Sequence, residues 1–391
     1  MTQLGNIAEQ VREYLNGHKE QMILFLSELV LKESPSSVVS PQHEILEFLK
    51  ERFESMGYFA EHFPGKNTGG ALYSRRRQRI KSLPIQLLIG HCDTVWPLGT
   101  LENMPLKHDD GKIKGPGIYD MKAGITQLIF SLMTIRALSL DLSAEPVILV
   151  NSDEEIGSKE STRLIRCLSK VANRAYVLEP PLGIDGKLKT ARKGIGRFTI
   201  EVKGRPAHAG LDPAKGINAI VELSRQVQKL YGMNDPEKGI SLNIGMIEGG
   251  ISPNVVAPES RAVIDVRVLS SEDIPYISKK ILGLKPHFEG VELSVTGGFG
   301  RPPMEKNSRN QRLWNMARNQ ADYLDLELQQ ATAGGASDAN TTSLFTATLD
   351  GLGTPGDGAH ALHEYIFHEK LIERTALLTL LLLADPLKVS S

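Results

Sequence analysis

The chain has 391 residues, with 45 Lys and Arg against 46 Asp and Glu and a formal net charge of −1. That length allows two or three domains and a sizeable core, while near-neutral charge gives no electrostatic basis for binding nucleic acid or a membrane surface. Its two cysteines, Cys92 and Cys167, lie far apart and fit neither a disulfide framework nor a CxxC metal site.

The polar, charge-mixed opening MTQLGNIAEQVREYLNGHKEQ is unlike a signal peptide. The longest apolar run, LLTLLLLA over 377–384, falls well short of the roughly 20 residues that span a bilayer. A cytoplasmic protein is expected. Apolar spacing predicts one helix over about residues 5–32, a Ser/Pro-rich break at ESPSSVVSPQ, and a helix resuming in HEILEFLKERFESMG. The RRRQR run from Arg75 to Arg79 reads as a solvated turn. Three short apolar runs follow, IQLLIG, PVILVN and AYVLE, interleaved with the helical segments KAGITQLIFSLMTIRAL and STRLIRCLSKVA. Strands alternating with helices predict an α/β fold with a mainly parallel, doubly wound sheet.

The pattern changes near Thr190. GRFTIEVKGR and RAVIDVRVLS alternate apolar and polar residues, as strands with one solvated face do. NAIVELSRQVQKLYG and EDIPYISKKILGL read as helices between and after them. The order strand–helix–strand–strand–helix–strand predicts an inserted α+β domain over 190–303. The catalytic part then comprises 1–189 and 304–391.

Each apolar run ends in acidic or metal-ligating side chains: His91 and Asp93 after the first, Asp153, Glu154 and Glu155 after the second, Glu179 after the third. In an open parallel sheet the carboxyl ends of neighbouring strands form one crevice, so these residues would meet. The tight turn in KGPGIYDMKAG delivers Asp120 just ahead of a helix. Clustered carboxylates repel and are costly to bury uncompensated. A dication relieves both, and an imidazole-plus-carboxylate donor set suits zinc, with manganese or cobalt as substitutes. Taken singly, each motif has an ordinary reading: DEEIGS as a solvated helix start, His91-x-Asp93 as a hydrogen-bonded loop. Their joint placement behind successive strands favours a metal site. His108, Asp109 and Asp110 sit in a hydrophilic turn and read as solvated.

GHCDTV, GPGIYDMKAG, NSDEEIGS, LEP, GRPAHAG and HALHEY occur here in the order found in the dinuclear-zinc metallohydrolases. That family comprises glutamate carboxypeptidases, acetylornithine and succinyl-diaminopimelate deacylases, aminoacylases and di- and tripeptidases. The chain resembles it from about residue 85 to 365, and HCDTVWPLGTL…GPGIYDMKAG is most similar to the glutamate carboxypeptidase branch. The resemblance implies two zinc ions, with Asp120 bridging them, His91 and Glu179 completing one site, and Glu155 and His360 the other. It implies Glu154 as general base, Asp93 as the acid orienting the His91 ring, and a cis peptide between Asp120 and Met121. GAHALHEYI also offers His363 and a downstream His368; the family's spacing to a following Glu selects His360 and Glu364.

The inserted domain resembles the family's lid and dimerisation domain, which implies a homodimer. His208 matches a histidine that stabilises the oxyanion of the tetrahedral intermediate. Asn254 and Arg267 match substrate-contacting positions, though Arg267 also suits an exposed strand. Arg301 matches a basic position that holds a terminal carboxylate, for which arginine's fork is suited; it equally suits a hinge. Lys187 and the backbone of GGASDAN are further candidates for that carboxylate. The expected activity is metal-dependent hydrolysis of a peptide or amide, releasing a C-terminal amino acid with glutamate favoured. An aminoacylase, deacylase or dipeptidase acting on N-acyl amino acids is the alternative, and a non-catalytic binding protein of the same fold the remote one.

Overall fold

The structure is a computed structural model describing residues 3–388; Met1 and Thr2, which open the polar N-terminal segment, and residues 389–391 lie outside the described residues. The first helical stretch is two helices rather than one, α1 (Gln3–Gly17) and α2 (Lys19–Leu31). Gly17 is a poor helix former, and His18 leaves the helical region at φ −112°, ψ 14° while its ring stacks on Tyr14. α3 (Val39–Ser55) leads into an antiparallel pair, β1 (Tyr58–Phe63) and β2 (Ala71–Arg76), and then β3 (Ile85–His91). The short helix α4 (Thr100–Asn103) precedes a hairpin of β4 (Lys107–Asp109) and β5 (Lys112–Lys114), with His108, Asp109 and Asp110 all exposed. α5 (Ala123–Ala137) is buried on nearly every side. β6 (Glu145–Asn151), α6 (Thr162–Val171), β7 (Ala172–Val177) and β8 (Leu188–Arg192) follow.

The chain divides into two compact units, one covering 191–305 with 334–336, the other the remainder. In the smaller, β9 (Gly194–Lys203), α7 (Ala219–Tyr231), β10 (Ser241–Gly249), β11 (Glu259–Val268), α8 (Asp273–Leu282) and β12 (Glu292–Arg301) succeed one another. The strands form an antiparallel sheet in the order β10-β11-β9-β12. Alternate residues Phe198, Ile200 and Val202 of β9 and Ala262, Ile264 and Val266 of β11 pack in one core with Leu223 of α7 and Ile277 and Ile281 of α8. The Asn218 side chain caps α7 by accepting from the Ile220 and Val221 N–H groups.

The larger unit resumes with α9 (Ser308–Asp322), β13 (Gln330–Ala333), α10 (Asp338–Thr342), β14 (Ala347–Leu349), β15 (Gly356–Asp357), β16 (Tyr365–Phe367) and α11 (His368–Leu383). Its main sheet has the order β1-β2-β6-β3-β7-β14; β6, β3, β7 and β14 are mutually parallel. β3 and β6 are buried almost throughout, as strands covered on both faces must be. α5 lies so close beneath β7 that a methyl group on Gly124 would overlap the Leu178 carbonyl oxygen. Cys92 is a buried free thiol in this core and Cys167 an exposed one. Among the described residues no helix is long and apolar enough to cross a membrane.

Candidate metal centre

Because β6, β3 and β7 are parallel neighbours, their carboxyl ends lie side by side. β3 ends at His91, and Glu179 follows β7 by two residues. Glu154 and Glu155 open a single 3-10 turn after β6, closed by Gly157 at φ +98°. Asp120 lies in the turn between β5 and α5, entered through Gly117 at φ +69°, and the Asp120–Met121 peptide is cis. His360 lies in the loop between β15 and β16, at φ +61°.

Two triads result, His91–Asp120–Glu179 and Asp120–Glu155–His360, each with ligand atoms within 4.8 Å of one another. Asp120 Oδ1 is 3.1 Å from His91 Nε2, and Asp120 Oδ2 is 3.6 Å from His360 Nε2. Glu179 Oε1 is 3.5 Å from His91 Nε2, and Glu155 Oε2 is 3.1 Å from His360 Nε2. A tetrahedral cation with bonds of ~2.0–2.2 Å holds its ligand atoms about 3.3–3.6 Å apart. The four observed separations bracket that range, so the residues fit one cation per triad. Neither His363 nor Glu154 is a member of either triad.

Burial works to lower the His91 pKa, but hydrogen bonds with Asp120, Asp93 and Glu179 hold it well above the ordinary 6.5. The hydrogen bond to Glu155 lifts His360 to about 9 against a smaller opposing effect of burial. Burial raises Glu155, offset in part by its hydrogen bond with His360.

Beneath the triads lies a second set of buried acids. His91 Nδ1 is 3.0 Å from the Asp93 carbonyl oxygen and 3.5 Å from its Oδ1, so the backbone makes the shorter contact to the ring. The Asp93 carboxylate accepts from the backbone N–H groups of Glu154 and Glu155, both at 3.2 Å, and from Ser36 Oγ at 2.7 Å. Asp93 therefore fixes the Glu154–Glu155 turn as well as facing His91. Asp153 accepts from Glu160 N, Ser161 N and Ser161 Oγ, and Asp338 accepts from Asn151 Nδ2 and Ser158 Oγ. These bonds close the loop on the far side of the same turn. Glu364 accepts from Gly117 N, Tyr119 N, Asp120 N and Trp96 Nε1. Burial raises its pKa to about 7 despite these donors, and burial lowers Lys122, whose Nζ donates to the Lys32 carbonyl, to about 8. Ser36, Trp96 and Asp338 carry no sequence signal of this role. Glu364 had one, its spacing from His360.

In the smaller unit His208 is exposed, and its Nδ1 accepts from Gly210 N at 3.1 Å and Leu211 N at 3.2 Å. Asn254 lies beside it, its carbonyl accepting from Ala209 N at 2.9 Å. Arg267 donates from Nε and Nη2 to Asp265, and from Nη1 to the Gly334 carbonyl at 2.7 Å. Arg301 ends β12, half-buried, opposite Ile195 across a register shift. Lys187 sits 3.9 Å from Asp185 in the larger unit.

Residues 190–284 match the family described as peptidase dimerisation domain, M20 type. The chain is 28% identical to carboxypeptidase G2 of Pseudomonas sp. (strain RS-16) over 281 residues, 70% of this chain and 67% of that protein. It is 23% identical to acetylornithine deacetylase of Myxococcus xanthus over 377 residues, 90% and 94% of the two. Further curated relatives are matched over 56–57% of their own length. Its fold superposes on the M20 family metallo-carboxypeptidase Sso-CP2 of Sulfolobus solfataricus with a TM-score of 0.71 at 17% identity, covering 93% and 99% of the chains. The matching dimerisation domain, the hydrolase relatives and the shared α/β fold are together consistent with the M20 metallopeptidase family.

Proposed function

We propose that the chain is a dinuclear-cation amide hydrolase of the carboxypeptidase type, releasing a C-terminal amino acid with glutamate favoured. One observation carries the reading: Asp120 turns one carboxylate oxygen toward each of two imidazoles, giving two triads that share one bridge. Two divalent cations, zinc by the donor set or else manganese or cobalt, supply opposite charge to the carboxylates and Lewis acidity toward a carbonyl oxygen and water. Glu154 takes the proton of the attacking water and returns it to the leaving nitrogen. The tight turn sends Glu155, and not Glu154, into a triad.

His208 accepts two backbone N–H groups at Nδ1, so its neutral ring carries the proton on Nε2, the form that donates to a developing oxyanion. Asn254, beside it, contacts the substrate. Arg301 holds the terminal carboxylate of the leaving amino acid. Arg267 serves the substrate through the Gly334 carbonyl that it holds, since Asp265 occupies the rest of its fork. A homodimer through residues 190–284 is supported by the family match and by exposed Ile220, Val221, Met246 and Ile247 on α7 and the edge strand β10. A deacylase acting on N-acyl amino acids is the second reading, supported by the near full-length match to acetylornithine deacetylase.

The test is cation content together with Glu154→Gln. Two equivalents of zinc per chain are expected, with kcat for an N-acyl glutamate falling ~10²–10⁴-fold in the variant while the zinc stays bound. Less than one equivalent in the wild type, or full activity in the variant, overturns the reading. Equal turnover of C-terminal Glu, Ala and Leu substrates overturns the glutamate preference alone.

A further inference from the structure

We propose that Glu364 is a positioning residue whose single carboxylate locks the three chain segments bearing Asp120, His91 and His360 into one preformed cation cradle; this rests on the dinuclear reading above. Glu364 is 1% exposed. Its Oε1 accepts from Tyr119 N at 2.8 Å and Asp120 N at 3.1 Å, and its Oε2 from Gly117 N and Trp96 Nε1, both at 2.9 Å. An ionised carboxylate has about four acceptor sites. All four are taken, which leaves none for a cation and separates Glu364 from the ligands in kind.

The donors define what the residue does. Three of them are the backbone N–H groups of the turn that presents Asp120, and such groups are costly to leave unpaired when buried. The fourth belongs to Trp96, three residues beyond Asp93 and five beyond His91. Glu364 itself closes a turn that starts just after His360, with Glu364 N donating to the Ala361 carbonyl at 3.0 Å. Its own carbonyl accepts from Gly115 N at 3.3 Å, so the main chain repeats the link that the side chain makes. β16 then pairs with β5, Tyr365 opposite Lys114. The bridge between the two triads and the exposed His360 are thereby held at one separation by a group that touches neither cation nor substrate. Groups that orient metal ligands from behind are worth ~10–100-fold in metal affinity.

Glu364→Gln is the sharpest variant. An amide keeps one acceptor oxygen and replaces the other with an NH₂ group, so in either orientation two buried N–H donors face another donor. In chelator-buffered zinc titrations of the folded variant, affinity is expected to fall ~10–100-fold. The visible absorption of the cobalt(II)-loaded protein should shift in position or intensity, because the ligand geometry has relaxed. kcat at fixed cation should fall with KM nearly unchanged, and excess cation should recover part of it. Trp96→Phe removes one donor and keeps an aromatic ring, so a smaller loss of zinc affinity is expected; it serves as the readout if the Gln variant does not fold. Wild-type zinc affinity and an unchanged cobalt spectrum in whichever folded variant is measured, with only a lower Tm, overturn the inference and leave Glu364 a fold-stabilising residue. Failure of the wild type to bind any divalent cation is a different result: it overturns the dinuclear reading itself and this inference with it.

Discussion

The two units hold their candidate residues in opposite ways. In the larger, four of the five proposed ligands stand at the end of a buried strand or in a turn whose N–H groups are gathered by a buried acid, Asp93 under Glu154 and Glu155, Glu364 under Asp120, and only His360 lies in an exposed loop. In the smaller, His208 and Asn254 lie on exposed loops fixed by backbone hydrogen bonds within and between those two loops. The contrast reflects cost. Like-charged carboxylates brought within hydrogen-bond range must be held against repulsion before any cation arrives, so their positions are over-determined. An imidazole with no like charge pressed against it carries no such penalty and tolerates a looser mounting.

If this division is right, the largest effect comes from the residue both triads share. Asp120→Ala should abolish detectable hydrolysis and remove both equivalents of cation, measured by elemental analysis of the purified protein; retention of one tightly held equivalent would break the claim that Asp120 serves both triads. His208→Ala comes next, with kcat down ~10²–10³-fold as for loss of an oxyanion donor and cation content unchanged. A parallel loss of cation would erase the contrast between the units. Asp93→Ala should weaken zinc binding ~10–100-fold and destabilise the fold, because the Glu154, Glu155 and Ser36 donors lose their acceptor at about 1–3 kcal/mol for each buried group. Chelator competition and thermal melts separate the two effects. The remaining effect is on pH. His360 keeps its proton up to about 9 in the cation-free chain because Glu155 accepts from it. A cation must displace that proton, so zinc affinity should rise as pH increases toward about 9 and level off above it. A flat profile between pH 7 and 9 would show that His360 does not contribute its lone pair.

How much of this was legible in the sequence depended on whether a residue's role leaves a pattern. The three central strands of the sheet, β3, β6 and β7, showed as apolar runs because they are largely buried, and the acids after them stood out because nothing else in such a run is ionisable. By contrast β1, β2 and β14 did not show, and Arg75 and Arg76 proved to end β2 rather than to form a solvated turn. Strands β9 and β11 of the smaller unit showed through alternation, since one face stays wet. The break at His18 did not show: the apolar periodicity continues from Leu15 to Met22 and Phe25, and only Gly17 hints that the backbone turns. Asp93 was legible as a partner of His91, yet its carboxylate also holds the next strand's turn, a contact across 61 residues that no local spacing encodes. Ser36 and Trp96 were silent for the same reason. Their partners are supplied by the fold, and their own neighbours in sequence look like ordinary loop.

Gly124 has a consequence of its own. Its missing side chain lets α5, which follows Asp120, touch the strand end that precedes Glu179. The gap between those two ligand segments is thus gauged by the absence of a single methyl group, with no slack to absorb one. Tolerance for change remains instead in exposed loops such as those bearing Leu211, Ile251 and Leu362, and under the proposed function substrate choice would vary there. Diversification of substrate choice is channelled outward, away from a spacing that allows no increment.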